Sequence, residues 1–397
     1  MASFELLWPV TETPDGVVIP GPHGTSAASE IYPGISCAIQ FIISGNEALM
    51  TDPGFRTIKD YPTGVLRKVC EIIDSRNLNL KYVVQTHWHF DHTGNTQYIK
   101  ERYGAEVLCH PKEREILEDP TVATRPDYIA SLGGDAAEVA ADFNLADASS
   151  VLMPAETLQK FWHFPVSVDR TVEDGELLEV GDLEVEVLHT PGHTPGHLSL
   201  YNASSNSLYL MDVMYWPTPL HPHPVGKIDE QLASIKKCLA LAQAGKVDYL
   251  FVGHELPRCG PEDVIDYLED LLIKQLQVEH RALVLLSRHG ALTVTDLYAE
   301  TFVIKERYDY AHNGWYTYSL NCLQAHLRRL TDMGKVSRER DADGQVVWAV
   351  TDQGRLPDDE LGVRGGYERA MAVQGDLGMH PPAVLSTPDP VAVGTTA

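Results

Sequence analysis

The chain has 397 residues, 44% hydrophobic and 22% charged: ample apolar material for a large core, and length for two domains or one with an appendage. Its 31 basic and 56 acidic residues leave a net charge of −25, which weighs against non-specific attraction to nucleic acid or anionic membrane. Six scattered cysteines with no C-x-x-C pair weigh against a disulfide framework and read as reduced thiols.

In chain order, segments 35–44 and 48–52 read as strands joined at Gly45-Asn46, a hairpin signal. Val65, Leu66, Val69, Ile72 and Ile73 recur at helical spacing and predict a helix over 65–75. A β-branched run at 81–86 predicts a strand, followed by a helix over 95–103 that Gly104 ends and a strand over 105–109. This β-α-β-α order predicts a layered α/β arrangement. The rhythm breaks from 113 to 170. Prolines at 120, 126, 154 and 165, an Ala-rich stretch over 134–145 and Phe161-Trp162-His163-Phe164 describe an insertion there. It is read either as a cover over an active site or as a packing connector.

Hairpin strands return over 171–215, with turns at Asp174-Gly175, Gly181-Asp182 and 203–206. A helix over 229–242, an apolar strand over 249–252 and a long helix over 261–287 follow. Beyond about 276 the pattern changes. Helices over 292–298 and 319–333, the second with Leu320, Leu323, Leu327 and Leu330 on one face, precede strands over 335–340 and 345–350. Helices followed by a β-hairpin predict a winged-helix module over 276–354. The stretch 355–397 lacks periodicity and predicts a disordered tail. Residues 1–16 show no basic stretch leading into an apolar run, and no window holds about 20 uninterrupted apolar residues. The expectation is a cytoplasmic protein that does not span a membrane.

The sharpest feature is Thr86-His87-Trp88-His89-Phe90-Asp91-His92, directly after a predicted strand. A helix or strand would point its four candidate ligands apart, whereas a loop at a strand end can curl them together. Imidazole with carboxylate suits Zn²⁺, and also Fe or Mn. His193 lies in a Gly- and Pro-rich turn after a strand over 183–188, Asp212 follows a strand over 208–211, and His254 follows the strand over 249–252. Each candidate ligand therefore sits where loops converge.

Asp52, then His87, His89, Asp91 and His92, then His193, Asp212 and His254 resemble the pattern of the metallo-β-lactamase superfamily, over about residues 30–275. The resemblance implies an α+β protein whose domain 1–275 is a four-layer αβ/βα sandwich with metals at one edge of its two sheets. It implies two divalent ions, Zn²⁺ foremost and Fe or Mn as alternatives. His87, His89 and His193 would take the first ion and Asp91, His92 and His254 the second, with Asp212 bridging. Asp52 would orient a ligand imidazole. A metal-bridging hydroxide would attack, and Asp91 could also hold a proton. Tyr215 stands three residues after Asp212, an offset at which related quorum-sensing lactonases place a tyrosine on the substrate carbonyl. It is a candidate to polarise such an oxygen or else a core aromatic. His189 and His197, flanking His193, are candidates for a catalytic role or else for packing and turn stabilisation; His110 reads as supporting a ligand or as structural, and His221 and His223 as pocket-lining or a plain polar loop.

Glu279-His280-Arg281, Ala325-His326-Leu327 and Met333-Gly334-Lys335-Val336 resemble the winged-helix tail of a lactamase-like hydrolase group that includes ester and thioester hydrolases and some nucleases. The leading expectation is hydrolysis of a small carbonyl substrate: an ester, lactone or acyl thioester. The alternative is a two-metal phosphodiesterase that holds nucleic acid on Arg328, Arg329, Lys335, Arg338 and Arg340. The net charge weighs against a polyanionic substrate. The module or the insertion could instead support a homodimer.

Overall fold

The computed structural model describes residues 11–19, 37–54, 64–125, 127, 130, 135–144, 164–213, 227–254, 257–301 and 315–357. Two sheets form its centre. The first runs, in order across the sheet, β1 (Thr11–Thr13), β2 (Gly16–Ile19), β3 (Ile39–Ser44), β4 (Glu47–Thr51), β5 (Asn79–Val84), β6 (Glu106–Cys109) and β7 (Arg170–Thr171). The β3–β4 hairpin turns at Gly45-Asn46, with Gly45 at φ +62°, where a residue without Cβ is least strained. From β4 to β7 the strands are parallel and need crossovers. Helices α1 (Gly64–Ser75), α2 (Phe90–Thr93), α3 (Thr96–Tyr103) and α4 (Pro111–Glu118) occupy those crossovers. Gly104 ends α3 in the left-handed conformation, its N–H bonded to Lys100 O. Pro111 opens α4, where a missing N–H costs nothing, and His110 accepts from Lys112 N as its cap.

The second sheet carries β8 (Leu177–Val180), β9 (Leu183–His189), β10 (Leu198–Asn202), β11 (Ser207–Met211), β12 (Tyr249–Val252) and β13 (Arg258–Cys259), with β8 and β13 at its edges. Every residue of β10 and β11 is buried, as central strands covered on both faces require, while edge strand β8 alternates exposed and buried.

Three apolar clusters define the layers. Ile42, Leu49, Val84 and Leu108 of the first sheet meet Val185, Val187, Leu200, Tyr209 and Phe251 of the second. The outer face of the first sheet packs on Leu66, Val69, Ile73, Ile99 and Ile116 of its helices. The outer face of the second packs on α6 (Ile228–Gln243) and α7 (Pro261–His289), counting α5 (Ala136–Asp142) before them in the chain. The result is a helix-sheet-sheet-helix sandwich. No helix among the described residues is long and apolar enough to cross a membrane.

The long helix α7 crosses residue 275 without a break. Val264, Leu268 and Leu272 bury against the sandwich, while Val278, Ala282, Leu283 and Leu286 join a separate cluster. That cluster gathers α8 (Val294–Thr301), α9 (Trp315–Asp332) and the antiparallel pair β14 (Val336–Arg340) and β15 (Val346–Val350) around Trp348. The stretch read from sequence as an insertion divides between the two bodies. Ile116, Leu117, Val122, Val166 and Val168 belong to the first sheet's core. Helix α5 instead reaches the C-terminal cluster. There Asp142, fully buried, accepts from Gln324, Arg328 and Arg338. The Asn144 side chain also exchanges two hydrogen bonds with the Val346 backbone. Trp162, the remainder of the predicted tail from 358, and the histidines at 221 and 223 lie outside the described residues.

Candidate metal centre

The ends of β4, β5, β9, β11 and β12 open on the same edge of the sandwich. Strand β5 stops at Val84, two residues sooner than its β-branched run suggests, because the Thr86 N–H turns away from the ladder to the Asp52 carboxylate. From there 85–89 form a loop and Asp91 and His92 fall in the short helix α2. Asp52, directly after β4, and Met211, the last residue of β11, adopt φ +24° and +54°, sparsely populated for non-glycine residues. At Met211 the register with β12 also slips, which re-aims Asp212.

The side chains so delivered converge. His87 Nε2 lies 3.0 Å from His89 Nδ1, and His193 Nε2 lies 2.9 Å from the same atom. Asp212 Oδ2 lies 3.8 Å from His87 Nε2, 3.4 Å from His193 Nε2, 3.3 Å from His92 Nε2 and 3.5 Å from His254 Nε2. Asp91 Oδ2 lies 3.1 Å from His254 Nε2 and 3.7 Å from His92 Nε2. Donors on a tetrahedral zinc at 2.0–2.1 Å stand about 3.3 Å apart, so two such groups sharing Asp212 fit these spacings. His87, His89, His193 and Asp212 form one group able to hold a metal ion, and Asp91, His92 and His254 another.

Hydrogen bonds behind the rings set their tautomers. Thr86 Oγ1 gives its only proton to Asp52, so the contact of 3.1 Å to His87 Nδ1 makes that nitrogen the donor. His92 Nδ1 donates to Asp52 Oδ2 at 2.8 Å. Both rings therefore turn Nε2 inward, the atom that ligation requires. Among the described residues, His92 Nε2 and Asp212 Oδ1 are buried without a hydrogen-bond partner, which a cation would relieve.

Electrostatics point the same way. Burial first, then the neighbouring His92, His89 and His193 rings, hold His87 well below its ordinary pKa and neutral. Burial opposes charge on His92, yet Cys37, Asp212, Asp91 and Asp52 raise it well above its ordinary value. Burial likewise opposes charge on His254, but Asp212 and Asp91 bring it up to about 9. Burial would raise Asp212, but His92 and His254 keep it well below the usual carboxylate range. The carboxylates thus draw positive charge to this spot. His254, its side chain 20% exposed, marks the open side.

Comparison with known proteins agrees with this geometry. Residues 34–254, more than half of the chain, match the profile of the metallo-beta-lactamase superfamily. The chain belongs to the metallo-β-lactamase superfamily. It is a metal-dependent hydrolase by that membership. It is 26% identical over 171 residues to an acyl-coenzyme A thioesterase, MBLAC2, of Gallus gallus, spanning 43% of this chain and 55% of that protein. It is 23% identical over 209 residues to a hydroxyacylglutathione hydrolase of Pelagibacter ubique, spanning 51% of this chain and 64% of that protein. A metallo-beta-lactamase family protein of Thermus thermophilus shares the fold with TM-score 0.58 at 21% identity, over 79% of this chain and 94% of that one.

Within this superfamily frame, the structure brings together all seven sequence-predicted ligands and Asp52. Tyr215 lies outside the described residues. His197 is not among the converging nitrogens. Its Nε2 accepts from the Asp212 N–H at 3.1 Å, and its Nδ1 pairs with Thr190 Oγ1. Burial first, then His193, lowers it to about 3, which keeps Nε2 free to accept. His110 and His189 stack 4.1 Å apart away from the ligand group, and His189 Nε2 contacts Pro195 O. Cys37 stands near His92, but its thiol, pushed up to about 12 by burial, donates to Asp52 O.

Two residues were not singled out in the sequence. Gly253 precedes His254, and a Cβ there would lie 2.0 Å from Asp212 Oδ1, so only glycine admits that carboxylate. Its place in Val252-Gly253-His254 was the available signal. Glu113, fully buried, accepts from Trp88 N, Thr194 Oγ1 and Gly196 N. No sequence signal separated it from its charged neighbours Lys112, Arg114 and Glu115.

Proposed function

We propose that this chain is a two-metal hydrolase of a small acyl substrate, an ester, lactone or acyl thioester. The observation that carries the reading is Asp212 Oδ2, within 3.3 to 3.8 Å of four imidazole nitrogens from three separate segments of the chain. His87, His89 and His193 would hold one ion, Asp91, His92 and His254 the other, and Asp212 both. Two divalent cations, with Zn²⁺ the foremost candidate and Fe or Mn the alternatives, supply Lewis acidity and lower the pKa of water. The chain supplies the rest. Asp52 and Thr86 fix the His92 and His87 tautomers, and His197 fixes the Asp212 backbone. Asp91 Oδ2, facing His254 and the open side, is placed to hold a proton for a leaving group. We assign Tyr215 the role of polarising the substrate carbonyl.

The acyl reading draws support from two relatives, an acyl-coenzyme A thioesterase and a hydroxyacylglutathione hydrolase, whose names both describe cleavage of an acyl conjugate. The phosphodiesterase reading draws less support. Of its five basic residues, Arg328 and Arg338 pair with Asp142 and Arg329 with Glu279 and Asp229, so three of them are engaged within the fold. We read the C-terminal helices and hairpin as a winged-helix-like support, with no nucleic-acid role. We also infer a cytoplasmic location, with which six free cysteines agree. The test is turnover of an acyl thioester, a lactone, an aryl ester and bis(p-nitrophenyl) phosphate by metal-loaded protein. Turnover of an acyl substrate is expected. Turnover of the phosphodiester alone would overturn the substrate class.

A further inference from the structure

We infer that Glu113 is a positioning residue that sets the first ligand group by clamping the two loops that carry His87, His89 and His193. The inference rests on the two-metal reading above and adds to it a residue outside the ligand pattern.

Glu113 sits in the first turn of α4, between exposed Lys112 and half-buried Arg114, yet its own side chain has no accessible surface. Burying a carboxylate is costly unless hydrogen bonds replace its water. Here the replacements are specific. Oε2 accepts from the N–H of Trp88, the residue between His87 and His89, at 3.1 Å. Oε1 accepts from the hydroxyl of Thr194, the residue after His193, at 2.8 Å, and from the Gly196 N–H at 2.7 Å. One oxygen thus holds each loop, and the rigid carboxyl group fixes the spacing between them. The three nitrogens that must meet within about 3 Å come from these loops and no others.

The neighbourhood is shaped around this contact. A Cβ on Gly196 would lie 2.6 Å from Glu113 Cγ and 3.0 Å from His110 Nδ1, so the turn reaches the carboxylate only because residue 196 has no side chain. Pro111 and the His110 cap fix the start of α4 two residues away, which limits how far Glu113 can shift. The second group, Asp91, His92 and His254, has no bond to Glu113. It hangs on Asp52 and on the end of β12.

The two groups can therefore be disturbed one at a time. The experiment is a Co²⁺ titration of metal-free protein, read by visible absorption and by metal counting, on wild type, Glu113→Gln, Glu113→Ala, Thr194→Val and the surface control Glu115→Gln. His193→Ala and His254→Ala assign the two binding events. Glu113→Gln keeps the shape but turns an amide N–H₂ toward a donor. It is expected to weaken the His87/His89/His193 event roughly ten- to a hundredfold and shift its absorption bands, leaving the other event within about twofold. Thr194→Val, which deletes one of the three bonds, is expected to weaken the same event less. Glu113 variants with both events as in wild type would overturn the inference, as would a parallel loss of both events with a lower melting temperature. If neither Glu113 variant folds, Thr194→Val decides by the same criterion. Wild-type protein that takes up no cobalt would overturn the two-metal reading itself, and this inference with it.

Discussion

Replacing Asp52 separates two jobs that its carboxylate does at once. It is fully buried and accepts from Gln85 Nε2 at 2.6 Å, Thr86 N at 2.8 Å, Thr86 Oγ1 and His92 Nδ1 at 2.8 Å. In Asp52→Ala, Gln85 can lean on its second acceptor, His87 O, but the Thr86 hydroxyl, which accepts from His87 Nδ1–H, cannot give its own proton there. Three donors, Thr86 N–H, Thr86 O–H and His92 Nδ1–H, lose their acceptor. At about 1–3 kcal/mol each, the metal-free protein should lose about 3–9 kcal/mol, a large part of a typical 5–15 kcal/mol. Alanine also tolerates φ +24° less well than aspartate or asparagine, which adds to the loss. Asp52→Asn is the sharper variant. Its oxygen can still serve Gln85 and the Thr86 N–H, and the Thr86 hydroxyl can turn to accept. The amide N–H₂ then faces His92 Nδ1, so the imidazole proton must move to Nε2, the ligand atom. We expect a stability loss of about 1 kcal/mol but a ten- to a hundredfold weaker second metal. Urea unfolding of metal-free protein and metal titration against a chelator measure the two effects. Asp52→Asn with wild-type metal affinity would refute the tautomer argument.

Three further outcomes are expected. His87→Ala and Asp212→Ala should each lower metal content and reduce kcat/KM by several kcal/mol of transition-state stabilisation, about 10²–10⁴-fold, with circular dichroism unchanged. Gly253→Ala should displace Asp212, against whose Oδ1 the new Cβ would press, and cost metal affinity without unfolding, as metal counting beside thermal melts would show. Burial raises Glu279, but the hydrogen bond and charge of His326 and the charge of Arg329 hold it below its ordinary value. A depressed carboxyl stabilises the fold above its unfolded pKa of about 4.3 and loses that contribution as pH falls through the folded value. Below about pH 4.3 the C-terminal cluster should therefore loosen, and Glu279→Gln should flatten that slope in melts followed by the fluorescence of buried Trp348.

The ligand set was legible because each member is fixed locally. A strand ends, a short loop follows, and the ligand sits within a few residues of the strand: Asp52 after β4, His87 and His89 after β5, Asp212 after β11 and His254 after β12. The hairpin at Gly45-Asn46 and the helix stop at Gly104 were equally local. What sequence could not show depends on partners far along the chain. Glu113 looked like the first residue of an insertion because its donors are 25, 81 and 83 positions away. Arg328 and Arg338 looked like a basic surface because Asp142, with which both pair, is 186 and 196 positions distant. The boundary drawn at 275 followed a change of pattern, whereas α7 continues through it and changes only the core that it packs on.

The most direct test of the two-metal account is a crystal structure of the purified protein with anomalous scattering measured at the edge of its bound metal. The account predicts two peaks about 3.5–4 Å apart on either side of Asp212 Oδ2. One should lie among His87, His89 and His193, the other among Asp91, His92 and His254. A single peak, or metal bound away from Asp212, would contradict it.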